Sequence, residues 1–211
     1  MLSLIKHRPA IFNFLISFIL LFIYDVVKAD CGVRYLNTKF YLPEAMCLNT
    51  IQPHLLEHSV NYVFELLVKK GDIVIDIMSG YGLSYVPLGH IVGEEGTLVA
   101  IEKSRALFLV LQENAIANSA WNRTLLVHAN PSDLTEETKT QTLSGVVEQI
   151  GVECPHFLRI NEHPELSQYD QFATVLGGYL LLERCQPAML IDLPRNDPAG
   201  ATALLEYLSV L

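Results

Sequence analysis

Positive charge is in short supply in this chain: 14 Lys and Arg stand against 23 Asp and Glu, a formal net charge of −9 over 211 residues. No stripe of basic residues interleaved with aromatics appears, which argues against nucleic acid and anionic membrane surfaces as partners of the folded part. Cysteine is scarce too, at four. None are spaced as CxxC or set against histidine at ligand spacing, so no metal is expected, structural zinc included. No internal repeat and no long linker interrupt the chain. What remains is a 51% apolar composition at a length suited to one globular domain with a sizeable core.

The longest apolar run comes early. Lys6, His7 and Arg8 precede PAIFNFLISFILLFIY at residues 9–24, which has no charge and no polar face. At about 16 residues it falls short of the roughly 20 that a spanning helix needs, but it matches a signal-peptide core. Val27 and Ala29 then offer small residues before a cut at Asp30. Residues 1–29 therefore read as a signal peptide or as a membrane anchor acting through residues 9–24. Either way the flanking charge sends the remainder out of the cytoplasm, exported or membrane-associated. Cys31, Cys47, Cys154 and Cys185 all follow this segment. An even count in an exported chain is compatible with disulfides, and four cysteines allow three pairings. Asn122-Arg123-Thr124 is a glycosylation sequon, meaningful only in a eukaryotic secretory pathway.

Residues 30–54 show no period and read as an irregular lead-in to a domain over 55–211. Leu56, Val60, Val63, Phe64 and Leu67 recur at helical spacing across residues 55–68, and Lys69-Lys70-Gly71 closes that helix. Strands are expected at 73–77, 98–101, 125–127, 156–160 and 189–192. Helices are expected at 83–91, 104–118, a stretch ending at 150, 172–183 and 201–208. This alternation predicts an α/β fold, a doubly wound Rossmann-like parallel sheet in the order 3-2-1-4-5. The switch point then lies between the first and fourth strands, and the loops 76–83 and 161–165 face each other there. Cys154 and Cys185 fall at the opposite end of adjacent strands. A Cys154–Cys185 disulfide, with Cys31–Cys47 as its companion, is expected if the domain is exported; buried free cysteines are the alternative.

Residues 73–102 read strand, acid, glycine turn, helix, strand, acid. A dinucleotide fold wants GxGxxG, so that backbone amides approach a diphosphate. Here the run is Gly80-Tyr81-Gly82-Leu83-Ser84-Tyr85, and bulky Tyr85 stands at the third glycine. A fold for S-adenosylmethionine (SAM) has no diphosphate to cradle. It can use Asp76, at the end of the first strand, near the methionine part, and Glu102, at the end of the second, for the ribose hydroxyls.

The stretches VIDIMSGYG, VGEEGTLVAIEKS, LVLQENAIAN, LRINEHPE and LERCQPAMLID resemble the class I SAM-dependent methyltransferases, and most of all the FkbM family, over about residues 55–208. The resemblance implies SAM as cofactor, with Asp76, Ser79, Gly80 and Gly82 along its methionine end and Glu102 on the ribose. Ser132 or Asp133 falls where the family meets the adenine. It further implies O-methyl transfer to a hydroxyl of a small molecule or sugar; a methyltransferase-like domain without turnover, exported for binding or interaction, is the alternative. The chain departs from the pattern in three places. Met78 stands at the family's first glycine. The KIDVEG loop reads Arg159-Ile160-Asn161-Glu162-His163-Pro164, leaving Asn161 and His163 as candidate catalytic side chains. The sequence runs only one helix past the fifth strand, so the usual C-terminal strand pair is expected to be missing.

Overall fold

A computed structural model of the chain describes residues 32–35, 38–41, 53–118, 124–132, 141–161, 171–193 and 198–209. The elements in chain order are β1 (Gly32–Tyr35), β2 (Thr38–Tyr41), α1 (Pro53–Leu67), β3 (Ile73–Ile77), α2 (Tyr85–Val92), β4 (Thr97–Glu102) and α3 (Arg105–Ala117). They continue with β5 (Thr124–His128), α4 (Leu143–Gln149), β6 (Phe157–Ile160), α5 (Gln171–Gly177), α6 (Tyr179–Cys185), β7 (Ala188–Ile191) and α7 (Pro198–Leu208). Strands β3 to β7 form one parallel sheet in the order β5-β4-β3-β6-β7, which is the expected 3-2-1-4-5. Among the described residues no strand follows β7, so β7 and β5 are its two edges.

The centre of the sheet is apolar because helices cover both its faces, as parallel sheets require. Side chains alternate across a strand, and the alternation sorts the core into two layers. Val74, Leu98 and Phe157 point to the side of α1, α2 and α3, where they meet Phe64, Tyr85, Leu88, Phe108 and Leu111. Ile75, Ile77, Val99, Ile101, Leu158 and Ile160 point the other way, onto Leu143, Val146, Val147, Val175 and Leu204. By the same parity Asp76, Glu102 and Arg159 belong to the first face. Three charged side chains therefore stand at the carboxyl ends of the three central strands, on one side.

Two expectations need correction. The lead-in is not irregular throughout: β1 and β2 form an antiparallel ribbon with Val33 opposite Phe40 and Tyr35 opposite Thr38, and β2 runs alongside α3. Its alternation is too short to stand out beside Pro, Asn and Cys neighbours. The helix expected over 172–183 is two helices, broken at Gly178. A Cβ there would stand 2.9 Å from Leu143 Cδ2 on α4, so the close approach of α4 sets the break. A periodic apolar pattern runs through such a kink unchanged.

Cys154, just before β6, is bonded to Cys185, the last residue of α6, with the Cα atoms 5.2 Å apart. The bond lies at the amino edge of the sheet, as the topology implied. Cys31–Cys47 lies outside the described residues, as does the apolar run at 9–24. No helix among the described residues is long and apolar enough to cross a membrane.

Candidate functional site

The carboxyl edge of the sheet is closed over by the turn between β3 and α2. Met78 enters it with φ of 58°, Gly80 follows at 58° and Gly82 at 100°. These left-handed positions favour glycine, and Met78 occupies one of them with a side chain. That side chain is buried in the layer with Ile77, Leu143 and Ile160, below the sheet from the charged face. It does not obstruct the turn. A Cβ on Gly82 would come within 3.1 Å of Leu111 Cδ1, so this glycine lets the turn sit down on α3.

The turn's own amides are spoken for. Ser79 N donates to Ile101 O at 3.2 Å and Gly82 N to Ser79 O at 2.8 Å. Gly80 N donates to Glu102 Oε2 at 2.8 Å. The carboxylate's other oxygen accepts from Ser104 N at 2.6 Å. From α3, Asn114 Nδ2 donates to Tyr81 O at 2.6 Å. Three amides that a dinucleotide fold would aim at a diphosphate are thus used inside the protein, which strengthens the case against that ligand class.

Asp76 is fully buried beneath this turn. Its Oδ1 accepts from Asn161 Nδ2 at 2.7 Å, while its Oδ2 is buried with no hydrogen-bond partner. Burial pushes the carboxyl up to about 6; the Ser79 hydroxyl, the Asn161 amide and the Arg159 guanidinium hold the rise down, and Glu102 adds to it. Asn161, one residue past β6, is shared three ways. Its amide also donates to Ile77 O at 2.9 Å, and its carbonyl accepts from Ser84 Oγ at 3.1 Å. Arg159, level with Asp76 in the β3–β6 register, donates to Asp192 Oδ2 at 2.6 Å and to the carbonyls of Ile160 and Leu190. Tyr85, also fully buried, fills the space between α2 and the sheet that a third glycine would have left open. Burial, with Asp76 nearby, pushes its hydroxyl up to about 12.

The structure therefore brings Asp76, Ser79, Gly80, Gly82, Glu102 and Asn161 together, and places all but Asn161 beneath the surface of the turn. Asp133 and His163 lie outside the described residues. Ser132, four residues past β5, donates to Asn130 Oδ1 at 2.8 Å. Three participants were not singled out from sequence: Ser84, Asn114 and Arg159. Asn114 had a signal, since it falls on the stripe of Leu107, Leu111 and Ala115 where a polar residue must have a buried partner. Arg159 had one as well, a lone cation inside an otherwise apolar strand.

A cofactor with a cationic head fits what is there: an orphaned buried carboxylate oxygen at the switch point, and a glycine turn pinned to a second buried carboxylate. The family model for protein-L-isoaspartate(D-aspartate) O-methyltransferase matches residues 36–133. No curated protein matches the chain. Among solved structures, a protein assigned as an rRNA methylase from Clostridium thermocellum is 14% identical, covering 77% of this chain and 84% of that one, with a TM-score of 0.55. Precorrin-6y C5,15-methyltransferase from Geobacter metallireducens is 13% identical over 81% and 77%, at 0.52. An O-methyltransferase from Bacillus cereus in complex with SAH is 13% identical over 76% and 71%, at 0.51. The matching family and these structures are class I SAM-dependent methyltransferases, and the fold of this chain is theirs.

Proposed function

We propose that this chain binds SAM at the carboxyl edge of β3 and β4 and is a methyltransferase acting on an oxygen of a small-molecule or sugar acceptor. The observation that carries the reading is the pair of fully buried carboxylates, Asp76 and Glu102, one on each side of a glycine turn at the switch point. SAM supplies an electrophilic methyl on a sulfonium. The protein's part is to hold its charged methionine end against Asp76 Oδ2, to shape the ribose pocket through Glu102 and the Gly80 amide, and to exclude water with the Met78–Ser84 turn. The narrower likeness to FkbM enzymes supports a hydroxyl acceptor, and the acidic balance of the chain speaks against RNA. The β5 loop at Ser132 and Asp133 is assigned to the adenine, and His163 to the acceptor side, on the same likeness. Purified protein that releases SAM or its demethylated product on denaturation, read by mass spectrometry, supports the reading; material carrying neither, and gaining neither after incubation with SAM, counts against it.

The second reading, a domain without turnover, has one observation in its favour. Asn161 stands where the family has an acid, and the structure commits its amide and carbonyl to Asp76, Ile77 and Ser84 rather than to an acceptor. Tight SAM binding with no methyl transfer to any of a panel of hydroxyl compounds would favour it.

Export or membrane association is proposed on the apolar run at residues 9–24 and on the Cys154–Cys185 bond, which suits an oxidising compartment. A mature N-terminus at Asp30 in an extracytoplasmic fraction supports it. An intact N-terminus on cytoplasmic protein with free thiols contradicts it.

A further inference from the structure

Asp76 is taken out of water at the one place where the proposed ligand needs an anion. Burial alone would leave such a carboxyl neutral over much of the physiological range. Among the described residues, groups from four parts of the fold face it. From β4 comes the like charge of Glu102, from α2 the hydroxyl of Tyr85, and from the turn the hydroxyl of Ser79, which donates to the Asp76 main-chain carbonyl at 2.8 Å. From β6 come Arg159 and, one residue past it, Asn161. Glu102 opposes a second negative charge. Among the described residues, only the β6 side supplies a cation and a directed N–H donor.

Neither of those groups is free to turn elsewhere. Arg159 is buried and clamped by Asp192, by the Leu190 carbonyl of β7 and by the Ile160 carbonyl of its own strand. Asn161 is held by Ile77 O and Ser84 Oγ, which aims its remaining N–H at Asp76 Oδ1. We propose that Asn161 and Arg159 are positioning residues for the cofactor site: together they keep Asp76 ionised and leave its Oδ2 free for the cationic end of the ligand. The inference rests on the methyltransferase reading of the same site. It gives Asn161 a task that the family's aspartate could not perform, because a second carboxylate 2.7 Å from the first would push the proton back onto one of them.

The test is a pair of pH titrations on the full chain. The Asp76 carboxyl is followed by carbon-13 NMR in protein labelled at aspartate carboxyls, its resonance identified by its loss in Asp76→Asn. SAM affinity is followed by calorimetry from about pH 5 to about pH 8.5. In the wild type the two curves should turn at the same pH. Asn161→Leu and Arg159→Met should each move both curves up by about one pH unit, and Arg159→Lys should largely restore them. Affinity then falls close to tenfold at about pH 5.5 and converges on the wild type at about pH 8.5. Should Arg159→Met fail to fold, Asn161→Leu and Arg159→Lys carry the test. A carboxyl titration unmoved in Asn161→Leu, or an affinity loss that is uniform with pH, overturns the proposal. Should the wild type give no heat with SAM, it is the reading of the site that fails. The carboxyl titration alone then supports the ionising role if it moves and overturns it if it does not.

Discussion

Asp76 carries a cost of burial that its neighbours in the protein offset only in part. Its folded-state carboxyl is raised from 3.8 to about 6, so the folded protein holds a proton that the unfolded chain has already released between those values. Stability from this group is therefore fully present below about pH 4 and lost as pH rises through about 6, a swing on the order of 3 kcal/mol. Asp76→Asn keeps the acceptor for Asn161 and removes the buried charge. It should stabilise the protein by about 1–3 kcal/mol near pH 7.5 and flatten its pH dependence, read by urea denaturation at several pH values, while weakening SAM binding at least about tenfold. Met78 strikes a different balance. Gly at this φ of 58° would relieve about 1 kcal/mol of backbone strain, but removing the buried thioether costs about 2–5. Met78→Gly should thus lower stability by about 1–4 kcal/mol in the same assay without shutting the site. At this scale the sequence was half informative. Asp76 and Glu102 stood out because acids end otherwise apolar strands, whereas nothing local to Asn161 or Ser84 showed that each would find the other 77 residues away.

Among the elements, α3 does more than cover the sheet. Ser104 caps it, its hydroxyl accepting from Leu107 N at 3.4 Å, and Asn114 reaches back from its buried face to hold the turn at Tyr81. Asn114→Leu removes this hydrogen bond between α3 and the turn. We expect a loss of about 1–3 kcal/mol in denaturant unfolding and a weakened SAM affinity, because the turn loses its outer anchor. Element positions in the parallel sheet were readable from sequence nearly to the residue, β3 at Ile73–Ile77 among them, since strands buried on both faces show as unbroken apolar runs. The β1–β2 ribbon and the break at Gly178 were not. Both depend on contacts with distant helices, α3 and α4, that no window of neighbouring residues contains.

For the molecule as a whole, chemistry and bracing sit at opposite edges of the sheet. The carboxyl edge holds the buried charges and the glycine turn; the amino edge holds the Cys154–Cys185 bond, which closes a separation of 31 residues spanning β6, α5 and α6. Replacing both cysteines by serine should lower stability by about 2–4 kcal/mol, seen in thermal unfolding, and leave SAM affinity within about twofold, because the bond touches nothing at the site. The sheet order followed from the alternation of elements and the handedness of their crossovers. The acceptor did not, because the segments after β5 and β6 that would wall it carry no pattern of their own.

Calorimetric titration of the full chain with SAM near pH 7.5, beside Asp76→Asn, tests the central claim most directly. The account predicts saturable binding in the micromolar range by the wild type and a loss of at least about tenfold in the variant. No detectable heat at millimolar SAM, or equal affinity in both proteins, would contradict it.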